Sequence, residues 1–193
     1  MIRTERHDNG VVEVVVDHPP VNALPVQVWF DLAEAILSAG KDLTTRAVVL
    51  RAEGRGFNAG VDIKEFQKDN TFNSLVGANR GCHAAFGACY ECPVPVITAV
   101  QGFCLGGGIG LAGNSDIIIA SDDATFGLPE VDRGALGAAT HLSRLVPLPK
   151  ARAIVYTSAT ARAQAPTALG PVLHAAPKHT PPDTPPTAGA LLR

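Results

Sequence analysis

Cys104-Leu105-Gly106-Gly107-Gly108-Ile109-Gly110 follows the apolar run Val94 to Val100 and opens a short segment of small residues with helical potential. Glycines let the backbone approach a ligand with no Cβ in the way. The start of a helix also leaves N–H groups without intrahelical partners, with partial positive charge beside them. The stretch therefore predicts a strand, a tight turn and a helix start built to receive a ligand oxygen, whether a phosphate or an oxyanion formed only during reaction.

Elements of the same kind extend on both sides. Val11-Val12-Glu13-Val14-Val15-Val16 reads as a strand that Pro19-Pro20 stops. Between Val26 and Ala39, Val28, Phe30, Leu32, Ala35, Ile36 and Ala39 recur at helical spacing, and Gly40 is the stop. Arg46 to Arg51 predicts the next buried strand, Phe57 to Asp62 a glycine-bearing loop, and Gly77 to Tyr90 a helix. After the triple glycine, Asp116-Ile117-Ile118-Ile119-Ala120 predicts another strand. Strands alternating with helices indicate an α/β fold with largely parallel pairing. Beyond Pro147 prolines punctuate an Ala/Thr-rich segment in which only Ala151 to Ala165 retains helical potential. The expected organisation is one core over residues 1–160 and a poorly ordered Pro/Ala-rich tail over 161–193.

Composition narrows the partners. The 193 residues are 46% apolar and 18% charged, with a net charge of −2, enough for one ordinary core and without the basic footprint that nucleic acid requires. No stretch reaches the roughly 18–20 apolar residues of a membrane span, and the N-terminus is charged rather than secretory, so a cytoplasmic protein is expected. Cys82, Cys89, Cys92 and Cys104 are too few for a disulfide framework. Cys89-Tyr90-Glu91-Cys92 is C-x-x-C, but no second ligand pair is present for zinc, and no thioredoxin-like surroundings for redox work. Reduced thiols and no metal are expected.

Gly108-Ile109-Gly110-Leu111-Ala112-Gly113 also matches the dinucleotide pattern G-x-G-x-x-G. That pattern needs an acidic residue ending the next strand, whereas Glu130 lies well past Ala120. A glycine-rich helix start serving only close packing is the plainer competitor. The second loop, Phe57-Asn58-Ala59-Gly60-Val61-Asp62-Ile63-Lys64-Glu65, with Gly106-Gly107-Gly108 and Pro129-Glu130, resembles the crotonase (enoyl-CoA hydratase/isomerase) superfamily. The likeness runs from the first strand and Val21-Asn22-Ala23-Leu24 through Arg144-Leu145.

The resemblance implies a spiral of ββα units with parallel sheets, here lacking most of the C-terminal helical trimerisation region. It implies that the Val61 and Gly107 amides form an oxyanion hole for the thioester carbonyl of an acyl-CoA. Ala59, Asp62 and Ile63 would wrap the coenzyme A adenine, with Val21 and Ala23 on its other side, and Gly106, Gly110 and Pro129 would line the substrate. Lys64 is either a phosphate contact or a solvated side chain. Coenzyme A enters as part of the substrate, no cofactor is permanently bound, and the family assembles as homotrimers or dimers of trimers. Chains of the family continue for several more helices beyond the point matching Thr160.

The resemblance also bears on chemistry. Hydratases of the family use two glutamates; the second matches Glu130, and the first falls on Gly110, which cannot carry a proton. Isomerases manage with one base at the later position. The stretches Arg51 to Glu65, Ala120 to Glu130 and Gly134 to Leu145 look most like the branch of the family that hydrolytically opens a ring of a bicyclic keto-acyl-CoA in bacterial steroid degradation. Gly110 would then open volume for a bulky ring. Glu130 would be the general base, with Asp132 as the alternative if the segment is extended, because i and i+2 then share a face. Asp132 and Arg133 also read as a surface pair, and His141 as a packed or surface histidine. A reading of another class is an inactive remnant or an acyl-CoA-binding protein without turnover.

Overall fold

The computed structural model describes residues 1–69, 71–135 and 137–163, and the backbone of Val172–Ala176. Its main sheet has six strands in the order β1-β2-β3-β4-β6-β9. β2 (Val11–Val16), β3 (Ala47–Ala52), β4 (Val96–Val100), β6 (Ile117–Ser121) and β9 (Val172–Ala176) pair in parallel, and β1 (Ile2–Arg6) is antiparallel to β2 at the edge. The parallel strands are apolar runs because both faces are covered. Val12, Val14, Val48, Leu50, Val96 and Ile118 enter the main core, whereas Ala47, Val49, Ile97 and Ile119 form a second cluster. β1 lacks such a run, and its Arg3 instead bonds Glu53 at 2.7 Å and Glu5 at 2.9 Å, which suits a charged edge.

α1 (Val26–Lys41) buries Leu32, Ile36 and Ala39 as expected, but its buried stripe is completed by Trp29 and Ala33, while Phe30 is exposed and Val28 and Ala35 are only partly buried. α2 (Ile63–Lys68) follows the first glycine loop, and α3 (Phe72–Tyr90) starts earlier than Gly77 because Thr71 accepts a hydrogen bond from the Ser74 amide. α4 (Gly107–Ala112) leaves the triple glycine. α5 (Ala139–Leu145) and α6 (Leu148–Thr157) come next, and α6 starts before Ala151 since Pro147 is its N-cap and Pro149 occupies its first turn. The helix expected to reach Ala165 ends at Thr157: Ser158 takes a left-handed turn and β8 (Thr160–Arg162) follows.

A second sheet, β5-β7-β8, joins β5 (Phe103–Leu105) in parallel to β7 (Thr125–Gly127), and β7 antiparallel to β8. It ties the strand entering the triple glycine to the one that leads into Pro129-Glu130. Among the described residues no helix is long and apolar enough to cross a membrane. Leu136 and, from the segment beginning at 161, residues 164–171 and 177–193 lie outside the described residues.

Candidate active site

The two glycine loops are bonded into one unit. Asn58 donates from Nδ2 to Asn22 O at 2.7 Å, accepts from Gly60 N at 2.8 Å through Oδ1, and accepts from Leu105 N at 2.8 Å through its carbonyl. Asn22 takes a left-handed φ of 53°, a conformation its short amide tolerates. Its buried side chain donates to Glu53 O and Gly56 O at 2.8 and 2.9 Å. The segment Val21 to Leu24 thereby runs alongside Ala59 to Ile63, bringing together the residues expected on the two sides of an adenine. Asp62 caps α2 by accepting from Lys64 N at 3.0 Å, while Ile63 is exposed on its first turn.

Leu24 N donates to Gly60 O at 2.9 Å and Leu24 O accepts from Asp62 N at 3.0 Å. This parallel bridge turns the Val61 N–H away from Leu24. Gly107 begins α4, so its N–H has no helical acceptor. Neither amide donates to another group among the described residues. Gly60, at φ 88°, and Gly106, at φ 56°, bring these backbones together: a Cβ on Gly60 would lie 3.2 Å from the Gly107 nitrogen. Any other residue at Gly60 would be strained by its φ and crowd the second loop.

Glu130 lies at the same turn. Its Oε1 would sit 2.9 Å from a Cβ on Gly106 and 2.5 Å from one on Gly137, so the carboxylate packs against both glycines. Its Oε2 is buried and has no hydrogen-bond partner among the described residues. Burial raises its pKa above the ordinary glutamate value, partly offset by its own backbone N–H. The extended geometry that would put Asp132 beside it is absent. Glu130 has helical φ and ψ, a 3-10 turn covers Val131–Arg133, and Asp132 is exposed.

A buried carboxyl with a raised folded-state pKa costs nothing at pH below its unfolded value, where both states are protonated. The cost appears as pH rises through the folded value. Glu130→Gln is therefore expected to raise the melting temperature at neutral pH. The gain should vanish at about pH 3.5, below the usual glutamate range. Melting curves at the two pH values check it.

Gly110 corrects the expectation of open volume. The position a Cβ would occupy there lies 2.1 Å from Phe86 Cζ, so an α3 side chain already fills that space. Phe86 packs edge-on against Trp29, with centroids 5.9 Å apart, and Trp29 in turn abuts Gly107. The wall beneath α4 is therefore aromatic where a carboxylate would stand in a hydratase-like arrangement. Phe86 carries no motif that marks it in the sequence, being one aromatic on an expected helix; Asn22 and Asn58 lie inside the quoted stretches, but their roles in joining the loops come from tertiary hydrogen bonds.

The cysteines stay outside this chemistry. All four are free, and burial pushes the Cys82 and Cys89 thiols up to about 12, which keeps them protonated at neutral pH. A groove between β1 and α1 includes none of the site residues. The glycine cleft is identified by its chemistry.

The enoyl-CoA hydratase/isomerase family profile matches residues 6–181. A Mycobacterium tuberculosis protein, (7aS)-7a-methyl-1,5-dioxo-2,3,5,6,7,7a-hexahydro-1H-indene-carboxyl-CoA hydrolase, is 69% identical over 151 residues, 78% of this chain and 61% of that protein. The Rhodococcus jostii protein of the same name is 59% identical over 176 residues, 91% of this chain and 68% of its own length. Among solved structures, a putative enoyl-CoA hydratase/isomerase from Mycobacterium abscessus superposes with a TM-score of 0.86 at 29% identity, covering 99% of this chain and 75% of that one. An enoyl-CoA hydratase from Mycobacterium smegmatis gives 0.85 at 28% identity, over 91% and 70%.

Proposed function

The chain belongs to the enoyl-CoA hydratase/isomerase family, and on that footing we propose that it opens one ring of a bicyclic keto-acyl-CoA by hydrolysis of a carbon-carbon bond. The hexahydroindene-carboxyl-CoA thioester in the names of its relatives is the substrate class. One observation carries the reading: among the described residues, the half-buried Glu130 carboxylate stands at the glycine turn with a buried, unpartnered Oε2, while the α4 position one turn on has no carboxylate and an aromatic ring over it.

Glu130 takes a proton from water as the water oxygen bonds to the ring ketone carbon. The adjacent carbon-carbon bond then breaks, and its electron pair is delocalised into the thioester as an enolate. Val61 N–H and Gly107 N–H hold the enolate oxygen. They are preorganised donors aimed at charge that exists only along the reaction path. Glu130 returns its proton to carbon, leaving a carboxylic acid on a monocyclic acyl-CoA; one water has been consumed and the thioester is intact. Ala59, Asp62 and Ile63, with Val21 and Ala23, hold the adenine, and Gly106 and Pro129 border the acyl group. No permanently bound cofactor takes part. A cytoplasmic location and assembly into homotrimers belong to the same proposal.

Incubation of the purified chain with the bicyclic keto-acyl-CoA and with a linear enoyl-CoA tests this. Mass spectrometry should register a gain of one water on the bicyclic compound without release of free coenzyme A thiol. Release of the thiol would identify a thioesterase. Hydration of the linear compound at an ordinary rate, on the order of 1–10³ per second, with the bicyclic one unchanged, would return the chain to the hydratases. Binding of either compound without turnover would leave an acyl-CoA-binding protein.

The aromatic wall yields a further expectation. Gly110→Glu alone should not create a hydratase, because Phe86 occupies the new side chain's place; overpacking should cost roughly 1–3 kcal/mol of stability. Gly110→Glu with Phe86→Ala should recover that stability and give measurable hydration of a linear enoyl-CoA, followed by loss of double-bond absorbance.

A further inference from the structure

His141 lies on α5 against the wall just described, and its protonation is dictated by its neighbours. Arg144 Nη1 donates to Asn114 Oδ1 at 2.5 Å and to Gly113 O at 3.2 Å. A guanidinium has no acceptor, so the Asn114 atom it meets must be the oxygen. Asn114 therefore presents Nδ2 elsewhere, donating to Gly110 O at 2.6 Å and meeting His141 Nδ1 at 2.8 Å. An amide nitrogen can only donate, so His141 Nδ1 must be the acceptor and the ring proton must sit on Nε2. Protonating the ring would set one N–H against another. Burial and the Arg144 charge lower the His141 pKa, in the direction this arrangement demands. Nε2 has no partner among the described residues.

The imidazole packs against the aromatic wall of the cleft: its ring and that of Phe86 meet edge-on with centroids 5.1 Å apart, and Phe86 covers Gly110. Gly107 and Gly110 are i and i+3 on α4 and share a face. They lie about 4.5 Å apart along the axis, a distance comparable with the width of a fused ring. Resting on the ring-opening reading, we propose that His141 Nε2–H donates a hydrogen bond to the oxygen of the ring ketone that water attacks, with Asn114 and Arg144 as positioning residues that fix its tautomer.

In this arrangement the substrate is held at two oxygens. The backbone amides grip the thioester, and His141 grips the ketone whose oxygen gains charge when water adds. No proton leaves His141; the neutral ring acts as an electrophilic donor, and Glu130 does the proton transfer. Asn114→Asp reverses the polarity of the contact. A carboxylate accepts from Nδ1–H, the neutral ring then offers a lone pair at Nε2, and the donor is lost.

Two independent readouts test the proposal. Long-range proton-nitrogen NMR of the full chain, with His141 assigned by its loss in His141→Phe, should show a neutral ring protonated at Nε2 in the wild type and at Nδ1 in Asn114→Asp. His141→Phe should lower kcat for ring opening roughly 10²–10³-fold, the usual effect of losing one oxyanion donor, with KM changed less than about threefold. His141→Gln, which keeps an N–H donor, should recover part of the loss. If His141→Phe fails to fold, turnover of His141→Gln and Asn114→Asp decides: Asn114→Asp should lower kcat with KM little changed, which a purely structural role would not do. A wild type protonated at Nδ1, or a His141→Phe enzyme with unchanged kcat, overturns the proposal and leaves the ring-opening reading intact. A wild type that opens no ring overturns both.

Discussion

Glu130→Gln is expected to lower the rate of ring opening by roughly 10²–10⁴-fold, the usual contribution of a positioned general base. The variant keeps the size and packing of the side chain against Gly106 and Gly137 but cannot accept a proton from water. The loss should appear in kcat with little change in KM, because Glu130 contributes to the transition state rather than to holding coenzyme A. The wild-type rate should rise with pH as the carboxyl ionises, with its midpoint displaced upward from the ordinary glutamate value by burial. Glu130→Gln should abolish that acidic limb. A variant with wild-type turnover and an unchanged pH profile would remove Glu130 from the mechanism.

Val61→Pro is the second substitution with a large expected effect. Proline deletes the main-chain donor at 61 and leaves both bonds to Leu24, which use Gly60 O and Asp62 N rather than Val61 N. Removing one oxyanion donor should cost on the order of 10²–10³ in kcat. Circular dichroism should be unchanged, and coenzyme A itself should bind as in the wild type, since it lacks the thioester oxygen. Full activity in Val61→Pro would show that this amide holds nothing in the reaction.

How much of this architecture can be read before the coordinates depends on which forces are local. β2, β3, β4 and β6 announce themselves as apolar runs because a parallel sheet buries both faces, and α1 by its helical spacing, although the face it buries is centred on Trp29 and Ala33 rather than on Phe30. β1 does not, since Ile2-Arg3-Thr4-Glu5-Arg6 is a charged edge stabilised by antiparallel pairing with a distant segment. β5, β7 and β8 are three residues each, too short to carry a period, and their pairings are wholly non-local. α5 follows Gly137 without a side-chain cap and is held by packing of Leu142 and Leu145.

The site shows the same division. Gly60 and Gly106 are visible as motifs because their positive φ demands glycine, Gly107 because Trp29 leaves no room for a Cβ, and the Pro129-Glu130 pair through the family resemblance. Their proximity is also implied by the order of the motifs. What the one-dimensional pattern omits is what fills the space between them. Gly110 suggests room, yet Phe86 arrives from α3 to occupy it. Asp132 suggests an alternative base to Glu130, yet the 3-10 turn sends it outward. The Asn114 amide that orders His141 is set by a local contact with Gly110, four residues back, and by a tertiary contact with Arg144 that no spacing rule encodes.

The account depends most on the Val61 and Gly107 amides acting on one oxygen. A crystal structure of this chain with the coenzyme A thioester of a bicyclic acid lacking the ring ketone would test that directly, because water has nothing to attack and the complex persists. The thioester oxygen should lie about 2.7–3.1 Å from both nitrogens, with Glu130 facing the ring. An oxygen bonded to only one of them, or turned to solvent, would contradict it.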